Sequence, residues 1–224
     1  MTCLFCSIAN GDSRLKNPED EIIDRCSVAY AKPGLGQFEI GYTLIIPNEH
    51  VLCMAELEKR DLDVVGKFVD DVSKALKELF NKPILIFEHG CGMSGSAGGC
   101  IQHAHLHLVP TSISLINLLH NEFIMHECKD LKSLAGATKE MLGYLYIIQD
   151  GKGTVCDVGK RLPSQYLRRV LCEGSGLERD TWDWRLFPFR GRIEEFIQQW
   201  HKKKEERNNA APQERIYNEP RKVS

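Results

Sequence analysis

Three histidines at alternate positions, His103, His105 and His107, stand in the stretch GCIQHAHLHLVP of a 224-residue chain that carries eight histidines in all. On a β-strand alternate residues share one face about 6.5–7 Å apart. The three imidazoles would therefore be presented together, while Ala104, Leu106 and Leu108 turn into the core. Such a row can grip a metal ion. It can also supply a nucleophilic imidazole that its neighbours orient or hold beside a metal. A half-exposed strand that merely happens to carry histidine accounts poorly for three on one face. The preceding GSAGGC adds a second element, because glycine backbone lets several N–H groups converge on an anion without a Cβ in the way. Gly98, Gly99 and Cys100 are thereby candidate phosphate contacts beside a waiting imidazole. A third element is Cys3-x-x-Cys6 in MTCLFCSI, which is half of a tetrahedral zinc site.

These groups need a scaffold, and the hydrophobic pattern supplies one. EIIDRCSVAYAKP and QFEIGYTLIIPNEHV each contain a β-rich run ended by proline and glycine, and they read as adjacent antiparallel strands. From about Leu57 to Phe80, apolar residues recur at spacings of three and four, the stripe of a long amphipathic helix. PILIFEHG follows as a central strand, then the glycine loop, then the histidine strand ending at Pro110. The expected class is α+β, an antiparallel sheet with one long helix.

Beyond residue 125 the pattern starts again. MLGYLYIIQD and GTVCDVG flank a turn and predict a hairpin; PSQYLRRVLCEG and RIEEFIQQWHKKKEE predict helices. We therefore expect a catalytic unit over residues 1–125, a smaller α+β extension over 126–205 and a mobile tail over 206–224. In the extension Gln165, Arg168, Arg169, Trp182, Asp183, Trp184 and Arg185 cluster, with guanidinium forks suited to phosphate and indoles suited to bases. They could close a nucleotide pocket.

The bulk numbers exclude several classes. A formal charge of −2 provides no global field to steer the chain towards nucleic acid. The opening MTCLFCSIANGDSRLK lacks the order of a signal peptide, and no apolar run approaches the roughly 18 residues of a membrane span. A cytoplasmic location is expected. Nine cysteines, an odd count, argue against a complete disulfide framework.

HAHLHLV resembles the His-x-His-x-His signature of the histidine-triad family of nucleotide hydrolases and transferases. GYTLIIPNEHV resembles the Gly-His-x-Leu-x-Ile-Pro-x-x-His segment that those proteins carry upstream. The likeness covers roughly residues 1 to 112, and it implies the fold of that family. It also implies catalysis through a covalent nucleotidyl-histidine. His105 would attack the α-phosphorus of a nucleoside phosphate anhydride, ester or phosphoramidate, its other ring nitrogen donating to a backbone carbonyl. His107 would contact the phosphoryl group. Hydrolysis is the leading outcome; transfer to a phosphate acceptor, or nucleotide or RNA binding without catalysis, are the alternatives. The resemblance further implies a structural zinc ion held by Cys3, Cys6, His50 and His103. Family members often form homodimers through the long helix and its neighbouring strand, a surface that the C-terminal half of this chain could cover instead.

The sequence departs from the family pattern in places. Glu88 replaces the usual asparagine and is a candidate contact for a ribose hydroxyl, a cation or an amine of the substrate. Gly99-Cys100 replaces a Gln-Ser or Gln-Thr pair that reaches the leaving group, so His89 or water would take over its protonation. No aspartate stands near AKPGLG to hold the ribose; Lys32 is there instead. The C-terminal segment resembles, faintly, a region of histidine-triad-like proteins linked to RNA lariat processing, with a Pro-x-Gln-x-x-Arg-Arg helix before Asp-Trp-Arg.

Overall fold

The computed structural model describes residues 3–91, 102–159, 162–178 and 180–210. It is an α+β structure built on one eight-stranded antiparallel sheet. The strands are β1 (Asp24–Arg25), β2 (Ala29–Pro33), β3 (Thr43–Pro47), β4 (Ile84–Cys91), β5 (Leu106–Pro110), β6 (Met125–Glu127), β7 (Gly143–Gln149) and β8 (Lys152–Asp157). Their order across the sheet is β1-β2-β3-β5-β4-β7-β8-β6. The helices are α1 (Leu4–Ala9), α2 (Lys59–Phe80), α3 (Leu115–Leu119), α4 (Leu131–Ala137), α5 (Tyr166–Gly174) and α6 (Arg190–Ala210).

The expected long helix begins two residues late, at Lys59, because Leu57 closes a short 3₁₀ turn over Met54–Glu56. It buries Leu62, Val65, Phe68, Val69, Val72, Ala75 and Leu76, the stripe read from the sequence. Each large apolar side chain buried in this way contributes roughly 1.5–3 kcal/mol. Asn81, in the left-handed conformation, ends the helix by donating its N–H to Lys77 O.

One face of the sheet packs with α2, α4 and α6 into a single apolar cluster that includes Ile45, Leu106, Leu108, Leu134, Phe196 and Trp200. The other face carries α1, α3 and α5 over Leu44, Phe87, Val109, Leu145 and Ile147. This second face is the one on which the functional side chains stand.

The strands beyond residue 125 do not form a sheet of their own: β7 pairs with the outer edge of β4, and β8 and β6 follow it. The physical reason is that β4, buried along most of its length, would otherwise leave a row of unpaired backbone groups beside the core. With α4 and α6 against α2, the C-terminal half of the chain itself covers the helix and strand surface expected to pair two copies. The hairpin between β7 and β8 turns at Asp150 and Gly151, both with positive φ (52° and 74°), so Lys152 already belongs to β8. α6 continues to Ala210, beyond residue 206, the expected start of the tail, and its Lys203 and Arg207 both pair with Glu78 of α2.

Gly90 of β4 stands opposite Tyr144 of β7. A Cβ added there would lie 2.0 Å from Cζ of Tyr144. Gly90→Ala is expected to lower stability by about 1–3 kcal/mol, read as a shifted denaturant midpoint. An unchanged midpoint would mean that the Tyr144 ring can move aside.

Candidate active site and four-residue Cys/His cluster

The site grows from the point where β3 and β5 stop pairing. Their ladder runs through Leu44↔His107 to Ile45↔Leu106 and ends there, since Pro47 offers no N–H for a further rung. The regular strand accordingly starts at Leu106, three residues later than the alternation predicts. His103 to His105 lie outside the ladder, and Ala104 donates its N–H to Val51 O at 2.7 Å instead of to a strand partner. Ala104, Leu106 and Leu108 face the α2 side as expected.

His103 is thereby turned away from the other two histidines. Its Nε2 lies 2.9 Å from Pro47 O, and its Nδ1 lies 3.3 Å from Cys3 Sγ and 3.6 Å from Cys6 Sγ. Nδ1 of His50 lies 3.3 Å from Cys6 Sγ. The four donor atoms all fall within 4.8 Å of one another. Cys3 caps α1 and Cys6 sits one turn on, which brings both thiols to the same end of the helix. Phe5 and Ile8 on its other side anchor α1 in the core. The donor set suits zinc: two sulfurs and two imidazole nitrogens around one Zn²⁺ would stand about 3.5 Å apart along a mixed tetrahedral edge. The S···N separations here bracket that value.

His105 keeps a different geometry. Its Nδ1 lies 2.8 Å from the carbonyl oxygen of His103. An imidazole can use that atom only by donating Nδ1–H, so Nε2 holds the free lone pair. Phe5 meets the His105 ring edge-on at 5.5 Å and the His103 ring at 5.7 Å. Burial pushes the His105 pKa down to about 4, with smaller contributions from His103, Lys32 and His89; the ring is neutral at pH 7.

His107 stacks on Phe87 at 4.5 Å, and its Nδ1 lies 2.5 Å from Tyr42 Oη. Its pKa is also lowered, first by burial and then by the charges of His105, Arg168 and His89. Tyr42 sits at the end of the loop between β2 and β3. The fully buried Gln37 amide braces that loop, bonding to Gly34 O and Tyr42 O and accepting from Gly41 and Tyr42 N–H. The guanidinium of Arg168 lies over both Phe38 and Tyr42, about 5 Å from each ring, and donates to Gly36 O and Trp182 O. Of the two adjacent arginines of α5, Arg168 therefore reaches the site. Arg169 points away and pairs with Glu173.

His105, His107 and His89 open onto a cavity of about 310 Å³. Its far wall comes from the loop Leu15–Asp20, and its lid from Gln165, Tyr166, Arg168 and Trp184. Gln165 ties that lid together, accepting from Trp184 N–H and donating to Asp183. Sequence reasoning missed Tyr42, Asn17, Glu19 and Asp20, all remote in the chain from the histidines. Gly98, Gly99 and Cys100 lie outside the described residues.

Glu88 borders the cavity but its carboxylate is occupied: Oε1 accepts from Met54 N–H and Oε2 from Tyr144 O–H, each at 2.7 Å. Burial, reinforced by Cys53, pushes its pKa up to about 8 against the opposing effect of those donors. A carboxyl that holds its proton more tightly folded than unfolded stabilises the fold most below its unfolded pKa, and that contribution is lost as pH rises through the folded value. Glu88 therefore lowers the Tm as pH rises from about 4.5 to 8, while the buried histidines raise it up to about pH 6.5; the Tm of Glu88→Gln relative to the wild type is expected to climb across the whole range. A melting series across that range checks it; parallel curves for both proteins would assign the slope elsewhere.

Comparison with known proteins adds context to this geometry. No family model matches the chain. An uncharacterized HIT-like protein of Borreliella burgdorferi is 26% identical over 109 residues, which is 48% of this chain and 74% of that protein. Among solved structures, a hypothetical histidine triad nucleotide-binding protein from Sulfolobus tokodaii is 29% identical (TM-score 0.41), covering 49% of this chain and 68% of that one. A HIT family member from Bacillus subtilis is 24% identical (TM-score 0.42), covering 49% and 73%. Over about half its length, then, the chain is similar to histidine-triad-like proteins.

Proposed function

We propose that this chain is a nucleotide hydrolase of the histidine-triad type, acting through a covalent nucleotidyl-His105. The observation that carries the reading is the tether of His105: Nδ1 is committed to the His103 carbonyl, so the ring presents a neutral Nε2 lone pair where it lines the cavity. The lone pair forms a bond to the α-phosphorus as the bond to the leaving group breaks. That bond's electron pair departs with the leaving oxygen or nitrogen, which takes up a proton from His89 or water. Water then attacks phosphorus, giving up a proton to His89 or to solvent, the N–P bond breaks, and its electrons return to the ring.

His107 has the complementary role. We assign the short Tyr42 Oη···His107 Nδ1 contact as O–H donating to nitrogen, which keeps the proton on Nε2, where it can be donated to a phosphoryl oxygen as charge accumulates there. Tyr42→Phe is expected to lower kcat by about 10-fold or more with little change in KM, because it frees the His107 tautomer. Equal kcat values in the two proteins would remove Tyr42 from the mechanism.

Cys3, Cys6, His50 and His103 would hold a zinc ion. With four protein ligands no coordination position is left for water, so the ion supplies rigidity and not a nucleophile. It would fix α1, and with it Phe5 against the His105 ring.

A panel of nucleoside phosphoramidates, dinucleoside polyphosphates and nucleoside diphosphate sugars, turned over in H₂¹⁸O, tests the function. Hydrolysis predicts one ¹⁸O in the phosphate of the released nucleotide. Release only on addition of a phosphate acceptor, without ¹⁸O, would identify a transferase. No turnover of any class would contradict the proposal.

A further inference from the structure

Lys32 is a cationic group in the cavity wall whose chemistry the reaction above leaves unused. It lies on β2, is 4% exposed, and lines the cavity. Register places it on the histidine face: Lys32 pairs with Leu44, and Leu44 with His107. Two strand spacings, about 10 Å, therefore separate Lys32 from His107 along the same row.

An ammonium group carries three donors. Among the described residues its hydrogen-bond acceptor is the carbonyl of its own neighbour, Pro33, at 3.0 Å, and no carboxylate stands within ion-pair distance. The nearest acids, Asp20 and Glu19, attract it from a distance without pairing with it. Glu19 is held by a forked pair of bonds from Arg190, and Asp20 accepts from Asn17. Burial lowers the Lys32 pKa to about 8, against the weaker pull of Asp20 and Glu19. A buried cation without a counter-charge in contact with it is costly, and its cost is offset when a ligand brings an anion to it.

We propose that Lys32 is a specificity-determining residue that binds a phosphate of the substrate other than the one attacked by His105. The inference rests on the nucleotide reading of the cavity. That second phosphate has two possible sources, the β-phosphate of a leaving group or a phosphate borne on the ribose.

Calorimetric titration of the full chain with AMP, ADP and adenosine 3′,5′-bisphosphate separates them. One of the two nucleotides with a second phosphate should bind about tenfold tighter than AMP, and which one does so identifies the source. Lys32→Met should remove that preference while leaving AMP binding within about twofold, and Lys32→Arg should restore it. The variant's Tm is measured alongside, and the wild-type preference stands as a test on its own should Lys32→Met fail to fold. The inference is overturned if the wild type shows no preference for a second phosphate, or if Lys32→Met weakens AMP as much as the others. Failure of all three nucleotides to bind the wild type would instead bring down the nucleotide reading, and this inference with it.

Discussion

Replacing His105 with alanine is expected to lower turnover by about 10⁴-fold or more while the protein remains folded. The magnitude follows from removing the atom that bonds to phosphorus: deletion of a covalent nucleophile leaves only the residual catalysis of a binding pocket. The structural cost is small by comparison. The ring's tether to His103 O is a single hydrogen bond, worth about 0.5–1.5 kcal/mol, and the edge-on contact with Phe5 adds about as much again. His105→Ala should therefore keep a cooperative melting transition close to the wild type. Steady-state rates and a melting curve on the same preparation check both halves. A rate loss under about tenfold with normal folding would mean that another residue attacks.

The second large effect concerns the Cys/His cluster. One zinc per chain is expected in the purified protein, and Cys6→Ser should reduce that content to near zero. Cys6 is the informative ligand because its sulfur approaches both His50 and His103. The loss in stability should be several kcal/mol, below the ~10–16 kcal/mol typical of isolated zinc-finger peptides. The large core around α2 does not depend on the cluster. What does depend on it is α1, six residues long and anchored otherwise by Phe5 and Ile8. Hydrogen exchange in α1 should therefore rise sharply in the variant while α2 stays protected. Turnover should fall too, since Phe5 packs against His105. A wild-type protein that contains no zinc, or a Cys6→Ser variant with unaltered exchange in α1, would contradict the assignment.

Much of this arrangement can be read in the sequence because its signals are local. The alternation of His103, His105 and His107 with Ala104, Leu106 and Leu108 tells which atoms face the core, and the spacing of Cys3 and Cys6 marks half of a zinc site. Local signals also existed for elements that went unread. Ser114 caps α3 by accepting from Asn117 N–H, and Asp130 caps α4 by accepting from Ser133 N–H. What could not be read depends on strand register and packing over long separations. Nothing near Tyr42 announces that its hydroxyl will meet His107, sixty-five residues on. Arg168 and Arg169 are neighbours on one helix, and only the packing of α5 decides which of them enters the site. The hairpin of β7 and β8 carries no mark that it will extend β4. Lys203 and Arg207 of α6 both pair with Glu78, on a helix remote in the chain.

The central claim is a bond between Nε2 of His105 and phosphorus. Rapid acid-free quench of a single turnover, with a substrate labelled at the α-phosphate, followed by proteolysis and mass mapping, tests it most directly. The account predicts label on the peptide containing residues 102–110, assigned to His105, lost on acid treatment and absent from His105→Ala. Label on a different residue, or complete turnover with no labelled peptide while product phosphate still acquires ¹⁸O, would contradict it.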